Sequence, residues 1–198
     1  MRNIEDASYW SELYQSGSAG WDIGNVSTPL KDYFDQLSDK SVRILIPGAG
    51  FAWEAQYLHQ QGFTLVFVLD FAIEALEGFR KNNPGFPEKH LICEDFFKHQ
   101  GEYDLIIEQT FFCALPRNSR RKYMTKMHEL LHPEGILAGL LFNHEFPSEN
   151  PPFGGSEAEY LSLFEPVFHL KKFETAHNSI RPRSGREYFF VAKPKHNI

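Results

Sequence analysis

The sequence predicts an α/β fold built on a doubly wound, mainly parallel sheet with an antiparallel edge strand from a C-terminal hairpin. Three observations carry this: short β-rich runs alternate with helix-like runs, the first β-rich run opens into Gly48-Ala49-Gly50, and the last two flank a turn containing Pro182 and Gly185. Repeated strand-helix units require right-handed crossovers and hence a parallel sheet, whereas a short closing turn joins antiparallel neighbours.

In order, Arg43 to Pro47 (RILIP) is β-rich, and Phe51 to Gln61 places Ala52, Ala55 and Leu58 at helical spacing. Phe63 to Leu69 is almost continuously apolar, as in a strand buried on both faces, and leads to Asp70. A helix over Ala72 to Lys81 stops at the breaker run Asn82-Asn83-Pro84-Gly85. Strands over His90 to Cys93 and Tyr103 to Ile107 flank the loop Glu94-Asp95-Phe96-Phe97. A helix from Ser119 to Leu131 ends at His132-Pro133-Glu134-Gly135, and Ile136 to Phe142 is a fifth strand. Glu157 to Leu163 is a short helix, and Val167 to Phe173 and Tyr188 to Ala192 are the final strands. Neither a repeat nor a linker interrupts the chain, so 1–198 is expected to be one domain.

A formal charge of −6 and a pI near 5.8, with scattered basic residues, give no electrostatic footprint for nucleic acid or another polyanion. Met1 to Tyr14 carries acids and an amphipathic pattern rather than the basic end and apolar run of a signal peptide. No apolar stretch approaches the ~20 residues that span a bilayer. A cytoplasmic location without membrane or nucleic-acid partners is the expectation. Cys93 and Cys113 lie in apolar segments, form no CxxC pair and flank no histidine, which predicts reduced core thiols and no metal site.

In such sheets ligands bind beyond the carboxyl ends of the strands, where strand order reverses. Gly48 and Gly50 allow a sharp turn and a close backbone approach, and the helix that follows directs free N–H groups at the ligand. Asp70 stands at the end of the second strand, where a carboxylate can accept hydrogen bonds from both ribose hydroxyls. Asp95 ends the third strand unit, placed to accept from the exocyclic amine of adenine with Phe96 against the ring. A dinucleotide fingerprint would need glycine at position 53, and Trp53 stands there. The pattern therefore favours a nucleoside without a pyrophosphate, such as S-adenosylmethionine, over a nicotinamide cofactor.

Further segments extend the pattern: Trp10, Tyr14, Trp21-Asp22-Ile23-Gly24, Thr28-Pro29-Leu30, Ile46-Pro47-Gly48-Ala49-Gly50, Glu94 to Phe97, Glu108 to Leu115, Arg120, Leu130 to Gly135 and Pro151-Pro152-Phe153. Together they resemble the thiopurine methyltransferase family, most closely its halide, thiocyanate and thiol methyltransferase branch, over nearly the whole chain. Several positions depart from that pattern: Tyr14 replaces a second Trp, Ala49 a Cys, Phe51-Ala52 two glycines, and Glu108-Gln109 Asp-Tyr or Asp-Arg.

The resemblance implies a Rossmann-like class I methyltransferase that uses S-adenosyl-L-methionine, acts on a small molecule and is a monomer. Residues 1–38 would form a helical lid segment and 39–198 the sheet core. Trp10 and Tyr14 would pack on the methionine and sulfonium end, where aromatic faces attract a cation. Trp21, Phe111, Phe112 and Phe153 would form a dry aromatic pocket for a soft acceptor: a thiol, hydrosulfide, thiocyanate, halide or thiopurine. Glu108 would position the cofactor or neighbouring backbone, and no general base would be needed. Arg120 would lie on a helix surface or reach the site. The competing readings are a catalytically silent nucleoside-binding module and a nicotinamide-linked oxidoreductase, the latter disfavoured by Trp53.

Overall fold

The structure, a computed structural model, describes residues 6–196. Residues 1–5, the start of the acidic N-terminal run, lie outside the described residues. Six α-helices and seven strands follow in the order α1 (Ala7–Gln15), α2 (Thr28–Phe34), β1 (Ile44–Pro47), α3 (Trp53–Gln60), β2 (Val66–Asp70), α4 (Ile73–Asn82), β3 (Leu91–Cys93), β4 (Tyr103–Gln109), α5 (Arg120–Leu130), β5 (Leu131–Phe142), α6 (Glu157–Phe164), β6 (Phe168–Thr175) and β7 (Glu187–Pro194). The strands form one sheet in the order β3-β2-β1-β4-β5-β7-β6. The first five pair in parallel, and β7 runs antiparallel to both β5 and β6.

The two-residue period of the strands divides the core. Leu45, Leu69, Ile106 and Leu137 face the layer of α5 and α6, whereas Ile44, Ile46, Val68 and Ile107 face α2, α3 and α4. Both faces are thus covered, and this is why β1 and β2 read as continuous apolar runs.

Several boundaries differ from the sequence reading, each for a local reason. The helix expected from Phe51 begins at Trp53, because Ala52 adopts a left-handed conformation (φ +53°) that cannot continue a helix. Phe63 is buried, but the strand pairing starts only at Val66. The breaker run His132 to Gly135 lies within β5, whose pairing with β4 shifts register between Tyr103 and Leu105. Helix α2 had no periodic signal over its short length, yet Pro29, Leu30 and Phe34 are buried in it. The hairpin supplies the edge strand β6, while β7 is inserted between β5 and β6. Cys93, expected in the core, is exposed, and only Cys113 is buried. No helix among the described residues is long and apolar enough to cross a membrane.

Candidate active site

The carboxyl ends of the parallel strands open into a cleft of about 710 Å³. It lies where strand order runs outward from β1 and β4 in opposite directions. Gly48 and Gly50 turn the chain out of β1 with φ of +56° each. A Cβ on Gly48 would fall inside the Phe111 ring, and one on Gly50 would lie 3.2 Å from the Tyr14 hydroxyl and 3.4 Å from Trp21 Nε1. Only the missing side chains let three aromatic residues close on this turn.

Asp70, the last residue of β2, lines the cleft while nearly buried. Its Oδ2 accepts the Gly50 N–H at 3.0 Å and its Oδ1 the Ala72 N–H at 2.9 Å. The two bonds fix the carboxylate plane and leave each oxygen a further lone pair. Burial pushes its pKa up to about 6, against the pull of these backbone donors. After β3, Glu94, Asp95, Phe96 and Phe97 all line the cleft. Asp95 Oδ1 accepts the Phe97 N–H at 2.9 Å, and Lys98 lies 3.5 Å from its other oxygen.

The loop after β4 is held from beneath. Thr110, a β-branched residue at φ +63°, occupies backbone space that costs on the order of 1–3 kcal/mol. The fully buried Glu108 accepts the Phe112 N–H at 2.8 Å and the Tyr123 hydroxyl, and burial pushes its pKa up to about 7. Cys113 donates its S–H to the Thr110 carbonyl at 3.0 Å. Phe111 and Cys113 thereby face the cleft, with the thiol pushed up by burial.

Helix α1 buries none of its own residues but lays Tyr9, Trp10, Leu13 and Tyr14 on the cleft. Ser11 and Gln15 donate to the two oxygens of Glu74 in α4, at 2.6 and 2.8 Å. Trp21, between α1 and α2, meets Trp10 and Tyr14 edge-on at centroid distances of 5.5 and 5.6 Å. Burial, then the charges of Asp70 and Asp22, push the Tyr14 phenol up, so it stays a hydroxyl donor.

Trp10, Tyr14, Trp21, Gly48, Asp70, Asp95, Phe96 and Phe111 therefore converge on one cleft, with Gly50 at its turn. Three other expected positions do not reach it. Glu108 sits below the wall and holds backbone rather than facing the cleft. Phe112 is core, packed on Tyr123 and Tyr160 and under the Arg120 guanidinium, because adjacent residues of this tight turn face opposite ways. Phe153 does not line the cleft: its N–H donates to the Cys113 carbonyl, and the preceding Pro151 and Pro152 form the wall. Arg120 is a buried strut, pairing with Glu159 at 2.6 Å and donating to the Phe153 and Gly154 carbonyls.

Sequence reasoning missed one wall altogether, formed by Phe142, His144, Phe146, Pro182, Arg183 and Arg186. Arg186 donates to His144 Nε2 at 2.6 Å, so the ring proton resides on Nδ1; burial, then the charge of Arg186, lowers the His144 pKa. The signal was the three arginines of the turn Ser179 to Arg186, a cost in charge repulsion that a plain hairpin turn does not need. The walls suit a cationic nucleoside: carboxylates at the ends of β2 and β3, a glycine turn beside them at the end of β1, and aromatic faces opposite.

A family model described as thiopurine S-methyltransferase (TPMT) matches residues 5–195. Among similar proteins, a probable thiol methyltransferase 2 from Arabidopsis thaliana is 28% identical over 184 residues, covering 90% of this chain and 81% of the relative. A thiocyanate methyltransferase 1 from Brassica oleracea is 27% identical with the same coverage. A thiopurine S-methyltransferase from Acinetobacter baylyi is 27% identical, covering 82% of this chain and 85% of the relative. In fold, the chain is similar to a Burkholderia thailandensis 1,6-didemethyltoxoflavin-N1-methyltransferase crystallised with S-adenosylhomocysteine, with a TM-score of 0.76, 17% identity and coverage of 96% and 87% of the two chains. The family match over nearly the whole chain, on a sheet whose glycine turn and strand-end carboxylates form a nucleoside cleft, establishes that the chain belongs to the thiopurine S-methyltransferase family and is an S-adenosylmethionine-dependent methyltransferase.

Proposed function

We propose that the cleft binds S-adenosylmethionine with its adenosine on Asp70, Asp95 and Phe96 and its sulfonium against Trp10 and Tyr14, and that it methylates a small soft nucleophile such as a thiol, hydrosulfide or thiocyanate held against Trp21. The observation that carries this reading is an aromatic acceptor wall in which no side chain among the described residues stands as a free base. Cys113 and Tyr14 are pushed up by burial and stay protonated, and the His144 Nε2 lone pair is engaged by Arg186. Asp70, Glu94 and Asp95 stand at the ends of β2 and β3 on the nucleoside side, and Glu94 is paired with His99. The names of the relatives, thiol, thiocyanate and thiopurine methyltransferases, support the same class.

The cofactor supplies a methyl group already activated by a positive sulfur. What the chain must add is alignment and dryness. Asp70, fixed by two backbone donors, would hold the ribose; Phe111 and Trp21 would bracket the acceptor, align it and exclude water from it. An acceptor that is ionised near neutral pH needs no proton removed by the protein. Small acceptors, exposed large apolar residues that among the described residues are Ile73 and Leu161, and two unpaired cysteines support a cytoplasmic monomer.

The test is the pH profile at saturating cofactor. With thiocyanate or iodide the rate is expected to be flat between about pH 7 and pH 8.5, and with thiols to rise with the acceptor's own thiolate fraction. A single enzyme-owned pKa in that window with every acceptor, or a requirement for amine or hydroxyl acceptors, would refute the soft-nucleophile reading. Asp95→Asn is expected to reduce the preference for adenine over hypoxanthine analogues of S-adenosylhomocysteine, because the amide can donate to the oxygen that a carboxylate repels. Calorimetric titration of both analogues against both proteins measures it, and an unchanged ratio would remove Asp95 from the adenine edge.

A further inference from the structure

We propose that Arg183 is a positioning residue that sets the acceptor wall by holding Trp21 in place from the β6–β7 turn. The inference rests on Trp21 lining the acceptor side of the cleft, as proposed above. Arg183 belongs to no strand and lies on the turn that sequence alone marks only as a hairpin connection. Both it and Trp21 line the cleft, although their positions lie at opposite ends of the chain.

The guanidinium bridges two elements. Nη1 donates to Glu187 at 3.2 Å, and Nη2 donates to the main-chain carbonyl of Trp21 at 2.8 Å. Glu187 is buried at the first position of β7, in register with Phe142 at the end of β5, and the guanidinium carbon lies 5.4 Å from the centre of the Phe142 ring. The carboxylate arm thus anchors Arg183 to the sheet. The other arm reaches out of the sheet to a segment between α1 and α2 that has no strand partner.

Charge balance accounts for the first arm alone. Glu187 and Glu54 are both buried, and the positive charge of Arg183 offsets part of the burial that raises the Glu54 pKa. A residue serving only those carboxylates would have no use for the Trp21 carbonyl. Trp21 has its own ring held by the edges of Trp10 and Tyr14, which belong to α1. Arg183 gives that aromatic group a fixed point on the sheet. A planar fork is suited to this because it meets two acceptors at a set angle, whereas an ammonium presents a single rotating point.

The experiment compares wild type with Arg183→Lys and with the double variant Arg183→Met/Glu187→Met, which removes both charges so that neither is left buried alone. Three quantities are read: the Kd for S-adenosylhomocysteine, the acceptor KM and kcat, and the emission and acrylamide quenching of Trp21 in proteins also carrying Trp10→Phe and Trp53→Phe. In the double variant the acceptor KM is expected to rise on the order of tenfold or more, with S-adenosylhomocysteine affinity within about threefold and Trp21 emission red-shifted and more readily quenched. Arg183→Lys is expected to fall between the two with near-native thermal stability. If the double variant does not fold, Arg183→Lys is judged by the same criteria. Unchanged acceptor KM with unchanged Trp21 emission would overturn the proposal. So would a proportional loss of cofactor and acceptor affinity, which would assign Arg183 to the whole cleft. If wild type methylates no soft acceptor, the functional reading fails, and the Trp21 emission and quenching still decide the role of Arg183.

Discussion

Asp70→Ala is expected to weaken binding of S-adenosylhomocysteine about ten- to a hundredfold, the cost of losing charge-assisted hydrogen bonds of about 1.5–3 kcal/mol. The carboxylate is already aimed, since Gly50 and Ala72 hold one lone pair on each oxygen and leave the other free for the ribose hydroxyls. The effect has a pH signature. Burial raises the Asp70 pKa to about 6, so the charged, accepting form fills above that value and empties below it. Affinity should therefore be constant above about pH 7 and fall by up to about tenfold per unit on acidification below 6. Asp70→Asn should bind weakly throughout and lose that inflection. Isothermal titration from about pH 5 to pH 8 measures both, and full affinity for Asp70→Ala in a folded protein would exclude the ribose role.

Gly48→Ala is expected to abolish cofactor binding and to destabilise the fold. Two costs combine at this position. Alanine at φ +56° adopts left-handed backbone at about 1 kcal/mol or more, and its Cβ would occupy the place of the Phe111 ring. Displacing Phe111 is not cheap, because the ring packs edge-on against Phe96 and Tyr123 at 5.2 and 5.6 Å and the loop is tied down through Glu108 and Cys113. Overpacking of this kind costs about 1–3 kcal/mol, so a thermal shift of several degrees is expected along with loss of S-adenosylhomocysteine binding. Gly62→Ala is the control. It too has positive φ, at +88°, but nothing lies within 4 Å of its Cβ, so it should lose stability and keep the cofactor. Equal binding loss in both variants would mean that backbone strain, rather than the Phe111 contact, explains the effect.

Because local composition reports local conformation, the order of strands and helices from β1 onward, the glycine turn and the carboxylates at the ends of β2 and β3 were legible in the sequence alone. An apolar run with β-branched residues is a buried strand wherever it lies, and an acid directly after it must stand at the sheet's carboxyl edge. The aromatic residues of α1 and Trp21 were legible through family resemblance, and they converge on the cleft. The direction in which side chains of irregular segments point emerges only with the folded chain. Phe111 faces the cleft and Phe112 the core from adjacent positions, because Thr110 takes a left-handed turn that no periodicity announces. Arg120 and Arg183 look alike in sequence. One is sealed in the core by Glu159 and main-chain carbonyls, and the other joins Glu187 to Trp21 across the whole length of the chain. Such pairings are set by long-range packing, in which partners distant along the chain are brought together only once the sheet has closed.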